Sequence, residues 1–120
     1  MAATVLLCDG AAFVRDLFGD ALEGAGWTVV ARAETGEAAL AALRRHRPRV
    51  AILDVVLPDR DGLALIEEIR IAAPDTAVVI CTSVGDAAVR TACAASGAAV
   101  VLRKPVAPAR LIEALQAFAR

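Results

Sequence analysis

Val50-Ala-Ile-Leu-Asp54-Val-Val-Leu-Pro58-Asp-Arg-Asp-Gly62 is the stretch on which the fold turns. From Val50 to Leu57 every residue but Asp54 is apolar, a run of strand length that does not alternate with polar residues. A half-buried strand would alternate, so this one is covered on both faces, as in the interior of a parallel sheet. Pro58-Asp-Arg-Asp-Gly62 then reads as a turn, and Leu63 to Ile71 carries helical spacing. The unit is strand, turn and helix, with one acid where the strand meets the turn.

The same unit recurs on either side. Upstream, Thr4-Val-Leu-Leu-Cys-Asp9 predicts a strand, and Ala11 to Leu22 places Val14, Leu17, Phe18, Ala21 and Leu22 on one helical face. Gly24 and Gly26 end that helix, Trp27-Thr-Val-Val-Ala31 predicts a second strand, and Thr35 caps a helix from Gly36 to about Arg45. Downstream, Thr76 to Cys81 and Ala98 to Leu102 read as strands. They are followed by helices over Asp86 to Ala95 and Pro108 to Phe118. Five strand and helix pairs make a (βα)₅ chain: a doubly wound α/β sheet, parallel, with right-handed crossovers and expected strand order 2-1-3-4-5. The 120 residues are one domain, spanning 1–120, with no internal sequence repeat or linker.

Composition narrows the functional classes. At 58% hydrophobic and 22% charged residues the chain can bury a core and is not a disordered segment. Thirteen basic against fourteen acidic residues leave a net charge of −1, so no general field attracts nucleic acid or anionic lipid. The apolar stretches are strand-sized and Met1-Ala-Ala-Thr lacks a basic leader, so neither a membrane span nor a signal peptide is expected and the location is cytoplasmic. Cys8, Cys81 and Cys93 are odd in number and sit among apolar residues, which makes them reduced packing residues.

In a sheet of this order the ligand site lies beyond the carboxyl ends of the strands, by the switch point between strands 1 and 3. Strand 1 ends at Asp9, strand 3 at Asp54, strand 4 at Thr82 and Ser83, and strand 5 runs into Lys104-Pro105. A carboxylate at the end of a buried strand can attack a phosphoryl group and form an acyl phosphate. Asp9 can help hold Mg²⁺, the Lys104 ammonium can pair with Asp54 or a phosphoryl oxygen, and the Thr82 hydroxyl can donate to another. Lys104 is the sole lysine in a chain of twelve arginines, so its compact ammonium is specific to this place. Taken singly, each residue has a plainer role as a cap, a turn former or a solvated charge. Together, at four strand ends on one face, they point to one site.

Four segments carry a resemblance over essentially the whole chain: Val5-Leu-Leu-Cys-Asp9, Ile52-Leu-Asp54-Val-Val-Leu-Pro58 with Asp61-Gly62, Val79-Ile-Cys-Thr82-Ser, and Lys104-Pro105. They resemble the receiver domain of two-component response regulators, a flavodoxin-like fold. Ala11-Ala-Phe-Val-Arg15 and Val79-Ile-Cys-Thr-Ser-Val-Gly resemble chemotaxis-type single-domain regulators in particular. The resemblance implies a signalling module rather than an enzyme, a phosphoprotein phosphorylated on Asp54 by a histidine kinase or phosphotransfer protein. It implies a phosphoryl group contacted by Thr82 and Lys104, and Mg²⁺ held by Asp9, Asp54 and the Val56 backbone carbonyl. It also implies a cis Lys104–Pro105 peptide and a downstream protein target on the face of helix 4, strand 5 and helix 5.

The chain departs from that pattern in three places. Receivers commonly carry a second acid after strand 1 as a direct metal ligand, and here the position is Gly10, which implies weak Mg²⁺. The switch position three residues before the lysine, often aromatic, is Val101, stiff at χ1, and Val106 stands where phenylalanine is frequent. These departures favour the alternative of a pseudo-receiver, a phosphorylation-independent docking module, while the complete Asp54, Thr82 and Lys104 set opposes it. A haloacid dehalogenase-type phosphatase would want an acid where Ala11 stands. Of the remaining charges, Asp61 and Asp59 read as turn formers, with Asp59 the reserve metal ligand, and His46 with Arg44, Arg45, Arg47 and Arg49 reads as a solvated helix end.

Overall fold

A computed structural model describes residues 3–119. The strands are β1 (Thr4–Cys8), β2 (Thr28–Ala33), β3 (Val50–Leu53), β4 (Ala77–Thr82) and β5 (Val100–Arg103). The helices are α1 (Ala12–Gly24), α2 (Gly36–His46), α3 (Gly62–Ala72), α4 (Ala87–Ala95) and α5 (Pro108–Leu115), with a 3₁₀ turn over Gln116–Phe118. All strand pairs are parallel and the order is β2-β1-β3-β4-β5.

Because successive side chains leave a strand on opposite faces, each central strand feeds two cores. Leu6, Cys8, Ala51 and Leu53 pack with Leu40 and Leu43 of α2, Leu65, Ile66 and Ile69 of α3, and Cys93 of α4. Val5, Leu7, Val50 and Ile52 pack on the other side with Phe18 and Leu22 of α1, Trp27, and Leu111 and Leu115 of α5. Each fully buried leucine or isoleucine here contributes about 1.5 to 3 kcal/mol of transfer free energy, and β3, buried at every position, draws on both faces.

One strand boundary differs from the sequence reading and matters for the site. The apolar run from Val50 predicts a strand to Leu57, but β3 stops at Leu53. The Asp54 amide still donates to the Cys8 carbonyl at 3.3 Å, and then the Asp54 Oδ1 accepts from the Val56 amide at 3.0 Å, an Asx turn that bends the chain out of the sheet. Gly62 closes the resulting loop: its amide donates to the Val55 carbonyl at 3.2 Å, so tightly that a Cβ would lie 2.3 Å from the Val55 Cα. Only glycine permits that approach. At other boundaries the structure moves β2 one residue later at its start and two at its end, to Thr28–Ala33, β4 one residue later, to Ala77–Thr82, and β5 two later at its start and one at its end, to Val100–Arg103. It also ends α5 proper at Leu115, with the Gln116–Phe118 turn completing the expected helix.

Candidate functional site

Asp9 and Asp54 follow directly on β1 and β3, the two central strands that pair in register, and both are buried, with 5% and 7% exposure. Burying two carboxylates side by side is costly unless a cation compensates them. Lys104 does so. Its Nζ donates to the Asp9 Oδ2 at 2.5 Å and to the Asp54 Oδ2 at 2.9 Å, spanning 95 and 50 residues of chain. The remaining carboxylate oxygens are turned onto backbone, Asp9 Oδ1 accepting from Ala11 N at 2.9 Å and Asp54 Oδ1 from Val56 N. Each acid is thereby fixed in direction, with one oxygen facing the ammonium.

Burial works against the charge on Lys104, but its hydrogen bonds to Asp9 and then Asp54 outweigh it, so the ammonium is held more firmly than an ordinary lysine. The Lys104 amide donates to the Thr82 carbonyl at 2.8 Å and the Lys104–Pro105 peptide is cis. Thr82, the last residue of β4, is fully buried, and its hydroxyl oxygen accepts from the Val84 amide at 3.3 Å. The structure therefore joins Asp9, Asp54 and Lys104 by direct contacts, with Thr82 on the next strand end. Gly10 is exposed beside them. Val101 is half-buried against the α2–α3–α4 core and Val106 against the α1–α5 core.

Three side chains have roles that sequence reading did not assign. Arg15 reaches back from α1 to donate to the Asp9 carbonyl at 2.7 Å, which braces the backbone under that acid. Asp61 is the N-cap of α3, accepting from the Leu63 amide at 3.0 Å. Asp59 has a structural role as well: its two oxygens accept from the Gly36 and Glu37 amides at 2.8 and 2.9 Å, so it caps α2 from the site loop. Those bonds, Gly36 first, hold its carboxyl below the usual range. Nothing in the local sequence signals this role, since its partners lie 23 and 22 residues away along the chain. The thiols are chemically quiet: burial, with Asp9 adding to it, pushes Cys8 up to about 12, and burial pushes Cys81 up to about 11.

The donor set also bears on a metal. Among the described residues no three His, Cys, Asp or Glu side chains converge as a cation cage. Two carboxylates with oxygens on one ammonium do fit a magnesium ion, which keeps several of its waters and needs only one or two carboxylates.

The sequence model of the response regulator receiver domain family matches residues 5–116. The chain is 30% identical over 115 residues to the chemotaxis protein CheY of Thermotoga maritima, covering 96% of each. Its identity to the chemotaxis protein CheY of Bacillus subtilis is also 30%, at the same coverage. The solved chemotaxis response regulator CheY4 of Vibrio cholerae superposes with a TM-score of 0.89 at 28% identity, over 98% of this chain and 99% of that one. A single family pattern spanning nearly every element of the 2-1-3-4-5 sheet, with full-length CheY relatives beside it, decides the matter: the chain belongs to the response regulator receiver domain family of two-component signalling.

Proposed function

We propose that the chain, acting as one unit over residues 1–120, accepts a phosphoryl group on Asp54 from a histidine kinase or phosphotransfer protein in the cytoplasm. The observation that carries this reading is the two-pronged contact of Lys104 with Asp9 and Asp54, a cation and a carboxylate already poised at one point. In the transfer, an Asp54 oxygen attacks phosphorus, the bond to the donor breaks, and an acyl phosphate forms. Lys104 then exchanges a carboxylate oxygen for a phosphoryl oxygen, a charge-assisted bond of the same kind. The Thr82 hydroxyl donates a hydrogen bond to a second oxygen. Asp9, Asp54 and the Val56 carbonyl would hold Mg²⁺, which when bound neutralises charge on the transferring group. With no carboxylate at Gly10, that hold is weaker than three acids would give.

A donor must bring phosphorus to Asp54, so its docking surface must adjoin the site. The groove formed by Phe13, Leu17, Pro105 and Val106 does so, since Lys104 and Ser83 also line it. Phe13 is 76% exposed, an unusual state for an aromatic side chain. Output passes through the face of α4, β5 and α5, where Val101 replaces the swinging aromatic. The test is labelling with a small phosphodonor and Mg²⁺: wild type gains one phosphoryl group by intact mass, and Asp54→Asn gains none. Labelling of Asp54→Asn at another acid would sink the acceptor assignment. No labelling of the wild type by donor or kinase would favour the docking-module reading, which Gly10 supports.

A further inference from the structure

At the end of the sheet remote from Asp54, the segments 47–49 and 73–76 enclose a cleft of about 310 Å³, its polar lining drawn from Thr4, Arg47, Arg49, Asp75 and Thr76. Its walls are stitched together at the base. The Thr76 hydroxyl donates to the Pro48 carbonyl at 2.6 Å, and the Ala77 amide donates to the Arg49 carbonyl at 2.9 Å. The Arg49 amide in turn donates to the Thr4 hydroxyl at 3.0 Å. Such a cleft is formed before any ligand arrives, as small-molecule sites commonly are.

The charged residues lining it stand outside the ion pairs of the fold. Among the described residues neither Arg47 nor Arg49 forms an ion pair, and neither does Asp75, although all three line one cleft. Arg44, Arg45 and His46 lie in the last turn of α2, where the helix dipole favours cations. Arg49 stands beyond that turn and draws nothing from it. Arg47 is the one non-glycine residue with positive φ among the described residues, at 44°. A left-handed cap of this kind suits glycine or asparagine, so an arginine there is held against its backbone preference. Guanidinium forks suit the oxygens of a phosphate, and a neighbouring carboxylate outside any ion pair can accept from hydroxyl groups.

We propose that this cleft binds a phosphate monoester, Arg47 and Arg49 taking the phosphate and Asp75 the hydroxyls of the group that carries it. The site is separate from Asp54 and does not depend on the phospho-acceptor reading. Amide chemical shifts of the full chain, titrated with inorganic phosphate and with ribose 5-phosphate, test it. Saturable shifts are expected over residues 47–49 and 73–76, in wild type and in Asp54→Asn alike. Removing both guanidiniums (Arg47→Gln with Arg49→Gln) weakens binding about tenfold or more, while Arg44→Gln with Arg45→Gln changes it less than about twofold. Arg47→Gly supplies an independent check: it relieves the left-handed residue and raises the Tm, yet weakens phosphate binding. Tighter binding of ribose 5-phosphate than of inorganic phosphate, with the difference lost in Asp75→Asn, supports the monoester; equal affinities overturn the role of Asp75 and the monoester assignment with it. Shifts that never saturate, or that spread evenly over every arginine and survive loss of Arg47 and Arg49, overturn the proposal.

Discussion

The two ends of the sheet handle charge in opposite ways. At the carboxyl end Asp9, Asp54 and Lys104 are nearly buried and locked onto one another, the lysine side chain 17% exposed. At the amino end Arg44, Arg45 and Arg47 stand exposed, and neither they nor the half-buried Arg49 form an ion pair among the described residues. Charge taken out of water must be matched within the protein, whereas charge left in water costs the fold little and remains open to a ligand. The acceptor end is therefore the place where single substitutions reach stability as well as function.

Lys104→Met breaks this contrast most sharply. It leaves two buried carboxylates without a cation and is expected to cost about 3 to 5 kcal/mol, since removing one partner of a buried pair strands the other. Arg45→Gln at the opposite end stays within about 0.5 kcal/mol. Urea midpoints measure both, and comparable small losses would mean that Asp9 and Asp54 do not need the lysine. The alkaline limb adds a signature. Lys104 is protonated more firmly in the folded chain than in the unfolded one, so its contribution is complete below the ordinary lysine range and fades as pH rises through and beyond it. Wild type should lose that increment in strong alkali, and Lys104→Met should have none to lose.

Gly10→Asp sharpens the comparison by adding a third acid to the buried end. Gly10 is exposed, its φ lies outside the left-handed region, and a Cβ there would meet only the Pro58 Cδ, at 3.8 Å. The backbone and a Cβ thus accept the substitution, and what it chiefly adds is a negative charge. It should tighten Mg²⁺ by roughly tenfold or more, because hard cations are selected by oxygen ligands and their charge. Calorimetric titration measures this directly. An affinity equal to that of wild type would show that the missing acid is already replaced by another donor.

The ends of the sheet also differ in how far they can be read from sequence. Asp9, Asp54 and Thr82 were legible because each follows a continuous apolar run, Lys104 because it is the sole lysine just past another, and topology places strand ends together whatever the loops do. Where β3 stops was not legible, since Val55, Val56 and Leu57 are as strand-like as what precedes them. The decision lies in the Asp54 carboxylate capturing the Val56 amide and in the Gly62 approach to Val55, contacts made only once the loop has formed. The cleft at the amino end was hidden for a related reason. Arg47 and Arg49 read as the solvated tail of a helix, and only the pairing of β3 with β4 brings Asp75 and Thr76 against them.

Asp59 makes the smallest expected difference and decides whether the carboxyl end has a third acid in reserve. Its oxygens are occupied by the Gly36 and Glu37 amides, so it ties the loop after Asp54 to the start of α2 rather than facing a cation. Those bonds favour the ionised form, and its carboxyl accordingly titrates lower in the folded chain. The sign follows: the stabilisation is present above the ordinary carboxylate range and fades as pH falls through and below it. Asp59→Asn should flatten the acid limb of urea stability between about pH 5 and pH 3 while leaving Mg²⁺ affinity as in wild type. A weakened Mg²⁺ affinity in Asp59→Asn with an unchanged acid limb would reverse the assignment, making this residue a metal ligand and the α2 cap incidental.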